Sequence, residues 1–310
     1  MKKIVYTLLF VIWYGFSLLP LWFLYRVADL LYFPLYYLIR YRRRTVRKNL
    51  VDSFPEKSLK EIVCIEKRYY VFFCDYVVET VKFFSMKEET IRKRMRFEGV
   101  EEIKELMSQG KSCSLYLGHY CNWEWITSIP FHIGKSGICG QIYHPLENKN
   151  IDKLFLYMRE RCGAFSIAMD DTLRVIMEWK KAGKASIVGY ISDQVPGYNN
   201  IHYFADFLNH DTPVFTGAER MARIMDTAVY YGDIYRPKRG YYVIRLVKIA
   251  ESIQDKPTFF ATKRYFELLE ESIRRAPEYW LWSHNRWKRT REEFNHLYSE
   301  EERKRRLNRL

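Results

Sequence analysis

The chain has 310 residues with no CxxC pair, no HExxH, no Gly/Ser-rich linker and no internal repeat. Its six cysteines, Cys64, Cys74, Cys113, Cys121, Cys139 and Cys162, are scattered. That spacing excludes a disulfide scaffold and describes reduced thiols of a cytosol-facing protein. Acidic residues are also scarce: 37 Asp and Glu stand against 51 Lys and Arg, a net charge of +14. The balance favours anionic partners, whether nucleic acid, lipid headgroups, phosphorylated substrates or acidic carrier proteins. Disorder is excluded by the 48% hydrophobic content, enough to build a core in a chain this long. The 25 Tyr, 20 Phe and 8 Trp suit a membrane interface or an aromatic-rich core.

Charge is missing altogether from Ile4 to Tyr25. As one helix this run would reach about 33 Å, enough to cross the hydrocarbon layer, and it is too long and poorly ended for a cleaved signal peptide with Lys2 and Lys3 as its basic start. Pro20 kinks it, and a second apolar stretch, Leu30 to Ile39, precedes the basic cluster Arg40, Arg42, Arg43, Arg44, Arg47 and Lys48. Cations at both ends leave a single span, a hairpin and a tilted interfacial helix all open. The expected organisation is a membrane anchor over 1–44 (a span plus an interfacial segment), a catalytic domain over 45–299 and a charged tail over 300–310.

Within the catalytic region, residues 57–95 have helical apolar spacing, with Ser58 and Glu61 forming a capping box. Their aromatic face (Tyr69, Phe72, Phe73, Tyr76, Phe83, Phe84) reads as core first and as an acyl-chain slot second. Apolar runs Cys113–Leu117, Gly137–Tyr143 and Ala185–Ile191 alternate with helical patterns over Trp123–Phe131, Ile151–Arg161 and Leu173–Lys181. Thr227–Tyr235 and Tyr241–Ile249 read as a hairpin, and Thr262–Arg275 as a final helix stopped by Pro277. The alternation predicts an α/β fold: a mixed, largely parallel sheet flanked by helices, behind an N-terminal membrane-anchoring helix.

Gly118 and His119 follow the first of these strands, so His119 belongs at a strand-to-helix elbow, where open α/β sheets bind ligands. In GHYCNWEW, Glu124 lies five residues on. Two residues so spaced point about 140° apart on a regular helix, but with His119 in the turn, Glu124 can fold back onto one imidazole nitrogen. The pair then reads as a general base and its orienting carboxylate. The plain alternative is a structural histidine near a surface glutamate. A metal site of His119, Cys121 and Glu124 does not match known zinc spacings, and no metal or cofactor is expected.

These residues resemble the lipid A biosynthesis (late) acyltransferases, within the lysophospholipid and glycerolipid acyltransferase group. GHYCNWEW is similar to that family's HX4(D/E) block, and residues 143–163, YHPLENKNIDKLFLYMRERCG, to its second, in which an Arg shortly before a Gly is functional. Arg159 and Arg161 both fit. SDQVPG at 192–197 resembles the third block, residues 212–236 an acceptor-proximal segment, and PEYWLWSHNRWK at 277–288 the terminal signature. The chain departs from the family in carrying His144 where many members have Arg, and in a third block without further acidic residues.

The resemblance implies a catalytic domain on the cytoplasmic face of the inner membrane. It also implies acyl transfer from acyl carrier protein, or less often acyl-CoA, to a hydroxyl of an acylated glucosamine disaccharide. The roles expected are His119 as base, Glu124 as orienter, Arg159 or Arg161 on a substrate phosphate or oxyanion, and Asp193 with Gln194 as site organisers. Asn122 and Arg220 are further substrate-contact candidates. Two alternatives stand beside this: an O-acyltransferase acting on a lysophospholipid or aminolipid, and a non-enzymatic membrane protein binding anionic lipid or nucleic acid. Nucleic acid is not expected as a partner.

Overall fold

The computed structural model describes residues 2–307 and 309–310. Met1 and Asn308 (the latter within the expected charged tail), together with the side chains of Lys2 and Lys3, lie outside the described residues.

The charge-free N-terminal run is two helices, α1 (Lys2–Leu18) and α2 (Leu21–Phe33), bent by 108° at the break. The reading of Ile4–Tyr25 as one continuous helix is thereby corrected: at about 26 and about 20 Å, neither helix alone is long and apolar enough to cross a membrane, although the bent pair together has the length and composition of a broken span. Pro20 has no N–H with which to continue the helix, and it caps α2 instead. The freed end of α1 is held from elsewhere. The Lys82 ammonium donates to the carbonyls of Ser17 (2.8 Å) and Leu19 (2.9 Å), and the Ser85 hydroxyl donates to Ser17 O.

α3 (Arg43–Ser53) and α4 (Leu59–Phe83) follow, the latter starting on the Ser58–Glu61 capping box. The aromatic face of α4 is core: Tyr69, Phe72, Phe83 and, just past its end, Phe84 are all buried. Part of the basic cluster is also internal, since Arg43 and Arg47 pair with the buried Glu66 while Arg40, Arg42 and Arg44 stay exposed.

Then come α5 (Glu88–Arg94), β1 (Met95–Glu98), α6 (Val100–Ser108) and β2 (Cys113–Leu117). A 3₁₀ turn (Trp123–Ser128) and the short α7 (Pro130–Ile133) lead to β3 (Ile138–Tyr143), α8 (Lys149–Glu160), β4 (Phe165–Ala168), α9 (Thr172–Lys181) and β5 (Ser186–Ile191). The small hairpin β6 (Phe204–Phe207) and β7 (His210–Pro213) precedes α10 (Gly217–Met225) and the long hairpin β8 (Ala228–Lys238) and β9 (Tyr241–Ala250). α11 (Phe260–Arg275), α12 (Arg291–Leu297) and α13 (Glu300–Leu307) complete the chain.

Seven strands form one sheet in the order β1-β9-β8-β2-β5-β3-β4, parallel except where β8 meets β9. The expected mixed, largely parallel sheet and the β8–β9 hairpin are therefore present. β1 and β4 were not anticipated, because four-residue strands at or near a sheet edge carry too little pattern to read. Every residue of β2 is buried, as befits a strand with neighbours and helices on all sides. From β2 the chain crosses to β3 on one side, and from β5 it returns past β2 to β8 on the other. The carboxyl ends of β2 and β5 thus flank a topological switch point.

Candidate active site

Gly118 and His119 leave β2 next to the residues that leave β5. The Gly118 position is crowded: a Cβ there would lie 2.7 Å from Leu269 Cδ1 and 3.4 Å from an Asp193 oxygen. The following turn is pinned by the terminal segment, with Leu281 N donating to His119 O (3.1 Å) and Cys121 N to Tyr279 O (2.9 Å). Cys121 sits at φ 53°, in the left-handed region that few side chains adopt, so the turn needs those anchors.

His119 is partnered by Asp193, not by Glu124. Asp193 Oδ1 lies 2.6 Å from His119 Nδ1, and Oδ2 accepts from His119 N (2.8 Å) and from the Trp280 indole (2.7 Å). With Nδ1–H donated to Asp193, Nε2 presents its lone pair, and the Gln194 amide nitrogen lies 3.3 Å from it. The Trp123 ring stands edge-on to the imidazole at 5.1 Å. Burial alone would raise the Asp193 pKa. The His119 charge and the three hydrogen bonds outweigh burial and hold the carboxyl below its ordinary range.

The Glu124 carboxylate is taken by Arg159 in a bidentate pair, Nε to Oε2 at 2.8 Å and Nη2 to Oε1 at 2.6 Å. The expected fold-back of Glu124 onto the imidazole is corrected by this pair. Glu124 lies in the 3₁₀ turn rather than a regular helix, and α8 delivers a guanidinium with a matching fork to it. The two arginines differ in position. Arg159 lines the cleft, whereas Arg161 donates to Phe83 O (3.0 Å) and Met86 O (2.7 Å) and holds the end of α4. Asn122 is fully buried, its amide donating to Glu79 (2.8 Å) and its oxygen capping the 3₁₀ turn at Trp125 N. It is not on the cleft wall. Arg220 is, exposed on α10, and so is the half-buried Arg289 just before α12, which the sequence reading did not single out. His144 stands exposed just after β3, also on the wall.

The cleft holds about 830 Å³. His119, Gln194 and Arg159 lie on it together with apolar residues such as Met169, Leu173, Met221 and Ile224. Beneath it, between β2, β3, β5 and the 3₁₀ turn, a smaller cavity of about 70 Å³ is lined by Leu115, Ile126, Ile129, Ala164, Ile187 and Gly189 among others. Trp123, Ile142, Tyr143, Arg159 and Ile191 belong to both walls. An imidazole with a free nitrogen, oriented by a buried carboxylate and facing a part-polar, part-apolar cleft, can deprotonate a hydroxyl. Among the described residues, no group of three or more His, Cys, Asp or Glu could hold a metal ion.

Trp280 was missed as an individual residue. Its block was legible, but nothing in the chain's local pattern marks which of its tryptophans donates to Asp193.

The sequence model of the family described as "Bacterial lipid A biosynthesis acyltransferase" matches residues 1–289. The chain is 25% identical over 251 residues to the lipid A biosynthesis lauroyltransferase of Escherichia coli (strain K12), covering 80% of this chain and 79% of that one. It is 24% identical over 255 residues to the lipid A biosynthesis palmitoleoyltransferase of the same organism, covering 81% and 80%. A lipid A biosynthesis acyltransferase of Haemophilus influenzae is 23% identical over 243 residues, covering 78% and 74%. With the match spanning nearly its whole length, this chain belongs to the bacterial lipid A biosynthesis acyltransferase family.

Proposed function

We propose that the protein moves a fatty acyl chain from an acyl carrier protein thioester to a hydroxyl of a lipid A precursor. The observation that carries this reading is the His119–Asp193 pair at the switch point, with Nε2 directed to a cleft that combines cations and apolar walls. Nε2 takes the proton of the acceptor hydroxyl, and Asp193 stabilises the imidazolium that forms. The oxygen attacks the thioester carbonyl, and the tetrahedral intermediate collapses with loss of the thiolate, which recovers the proton from His119. Arg159, held in place by Glu124, and the Gln194 amide share the cleft wall with His119 and serve the oxyanion. The HX4E glutamate thus belongs to the catalytic set as the holder of an arginine.

Arg220 and Arg289 on the cleft wall suit the phosphate of a glycolipid acceptor, and the net charge of +14 suits an acidic carrier protein. The donor's acyl chain lies along the apolar wall of the cleft, with only its end directed past Trp123 toward the small cavity. The exposed apolar faces of α1 and α2, including Ile4, Leu8, Val11, Trp22 and Leu30, lie in one leaflet of the inner membrane, with the domain on its cytoplasmic side.

The test is the purified protein in detergent or vesicles with labelled acyl carrier protein thioesters and a panel of lipid acceptors. Transfer to a lipid A precursor that drops at least about a thousandfold in His119→Ala is expected. Near-normal turnover in that variant, or preference for a lysophospholipid, would sink the reading.

A further inference from the structure

Glu79, on α4, is fully buried, and a lone carboxylate there would cost several kcal/mol. It is not alone. Its Oε2 accepts from the Asn122 amide (2.8 Å) and the Tyr242 hydroxyl (2.7 Å), its Oε1 accepts from the Tyr25 hydroxyl (2.8 Å), and Arg236 lies 3.8 Å away. Its backbone carbonyl takes the Trp125 indole N–H (3.2 Å). Two of these partners flank Arg159's partner Glu124 in the turn that follows His119: Asn122 two residues before it and Trp125 one after. A third, Tyr25, belongs to α2. Close by, Asp75 pairs with Arg236 and Arg239, and Arg239 also reaches Asp29 of α2. One polar network therefore runs from the N-terminal helices to the active-site turn.

The same helices reach the other catalytic element. On α1, Phe10 packs against Tyr157 and Trp13 against Phe155, both on α8, and the Arg159 guanidinium lies over the Phe155 ring at 5.2 Å. Thus α2 supports the turn that carries Glu124, and α1 supports the helix that carries Arg159.

We propose that Glu79 is a positioning residue of the active site and that through it α2 is a working part of the catalytic turn rather than only a tether. The turn needs such a hold, because Cys121 is in the left-handed region and, among the described residues, Glu79 is the acceptor for the buried Asn122 amide. Loss of the Tyr25–Glu79 bond frees the carboxylate to shift, and Asn122 shifts with it. Trp123 and Glu124, the next two residues, then lose their register against His119 and Arg159. The inference rests on the acyl-transfer reading for its kinetic arm alone.

The experiment compares full-length wild type, Tyr25→Phe, Glu79→Gln and the double variant in the same detergent. It measures steady-state kinetics, thermal unfolding and backbone hydrogen exchange resolved by peptide. Tyr25→Phe keeps its ring beside the Arg239 guanidinium, 4.4 Å from the ring centre, so the fold is retained. The expected result in Glu79→Gln is a fall of about tenfold in kcat with little change in donor KM, and faster exchange confined to the stretch 118–128. Tyr25→Phe shows the same pattern more weakly and adds nothing in the Glu79→Gln background. Unchanged exchange at 118–128 in both single variants overturns the proposal, as does uniformly faster exchange across the sheet. If the wild type transfers no acyl group, the acyl-transfer reading fails, and the exchange comparison still decides this one.

Discussion

Asp193 accepts three hydrogen bonds on its two oxygens, two of them from His119 itself. An amide in its place can accept at one atom only, and its nitrogen set against Nδ1 turns the imidazole to the wrong tautomer. Asp193→Asn is accordingly expected to lower kcat by about a thousandfold or more while leaving the far-ultraviolet spectrum unchanged. Activity within tenfold of wild type would show that the carboxylate does not orient the base. At this scale His119 was legible because a histidine after an apolar strand falls at a predictable place in an α/β sheet. Its partner was not. Asp193 lies 74 positions away, and only the pairing of β2 with β5 makes the two neighbours.

Among the elements, β5 and the N-terminal helices each carry a prediction. Gly189 on β5 lines the small cavity, and a Cβ there would meet Leu117 at an ordinary 3.4 Å, so Gly189→Ala fills space without strain. The expected effect is a shift in donor preference toward shorter chains, about tenfold between acyl groups differing by two carbons, read by competition between labelled thioesters. No change in chain preference would place the acyl chain elsewhere. The second prediction concerns α1 and α2, whose outer faces leave Leu8, Val11, Trp22 and Leu30 exposed. Replacing these four with serine removes apolar area worth roughly 25 cal/mol per Å² at a lipid surface. Sedimentation with vesicles is expected to fall sharply while the thermal midpoint of the domain changes little. Undiminished vesicle binding would refute the interfacial seat.

Over the whole molecule, acid is expected to act through half-buried histidines. Burial pushes the pKa of His284 down to about 4, and it also depresses His132 and His210. The unfolded values lie near 6.5, so between about 4 and about 6.5 the unfolded chain binds the extra protons. Stability is therefore complete above that window and declines as pH falls through it, by on the order of 2 kcal/mol for the partly shielded His284. Asp193, with its lowered pKa, adds a further loss only once pH falls below about 4. Urea midpoints at pH 5 and 7.5 check the sign, and His284→Gln is expected to flatten the difference. A midpoint independent of pH across this interval would contradict it.

By itself the sequence determined the α/β alternation, the β8–β9 hairpin, the capped start of α4 and the position of His119. Each of these is set by local periodicity, caps and turns within about ten residues. The blocks that resemble the family were local as well, which is why Arg159, Asp193 and Gln194 were all named. Tertiary structure alone decided who pairs with whom. Asp193 rather than Glu124 holds the imidazole, Arg159 rather than Arg161 faces the cleft, and Asn122 turns inward to Glu79. It also bent the apolar N-terminus at Pro20 and laid both halves against α4, with Lys82 at its end and Ser85 just beyond it holding the freed carbonyls. The physical reason is common to all of these. A buried charge or an orphaned backbone group must find a partner, and the partner that comes within hydrogen-bond reach depends on packing between segments tens of residues apart.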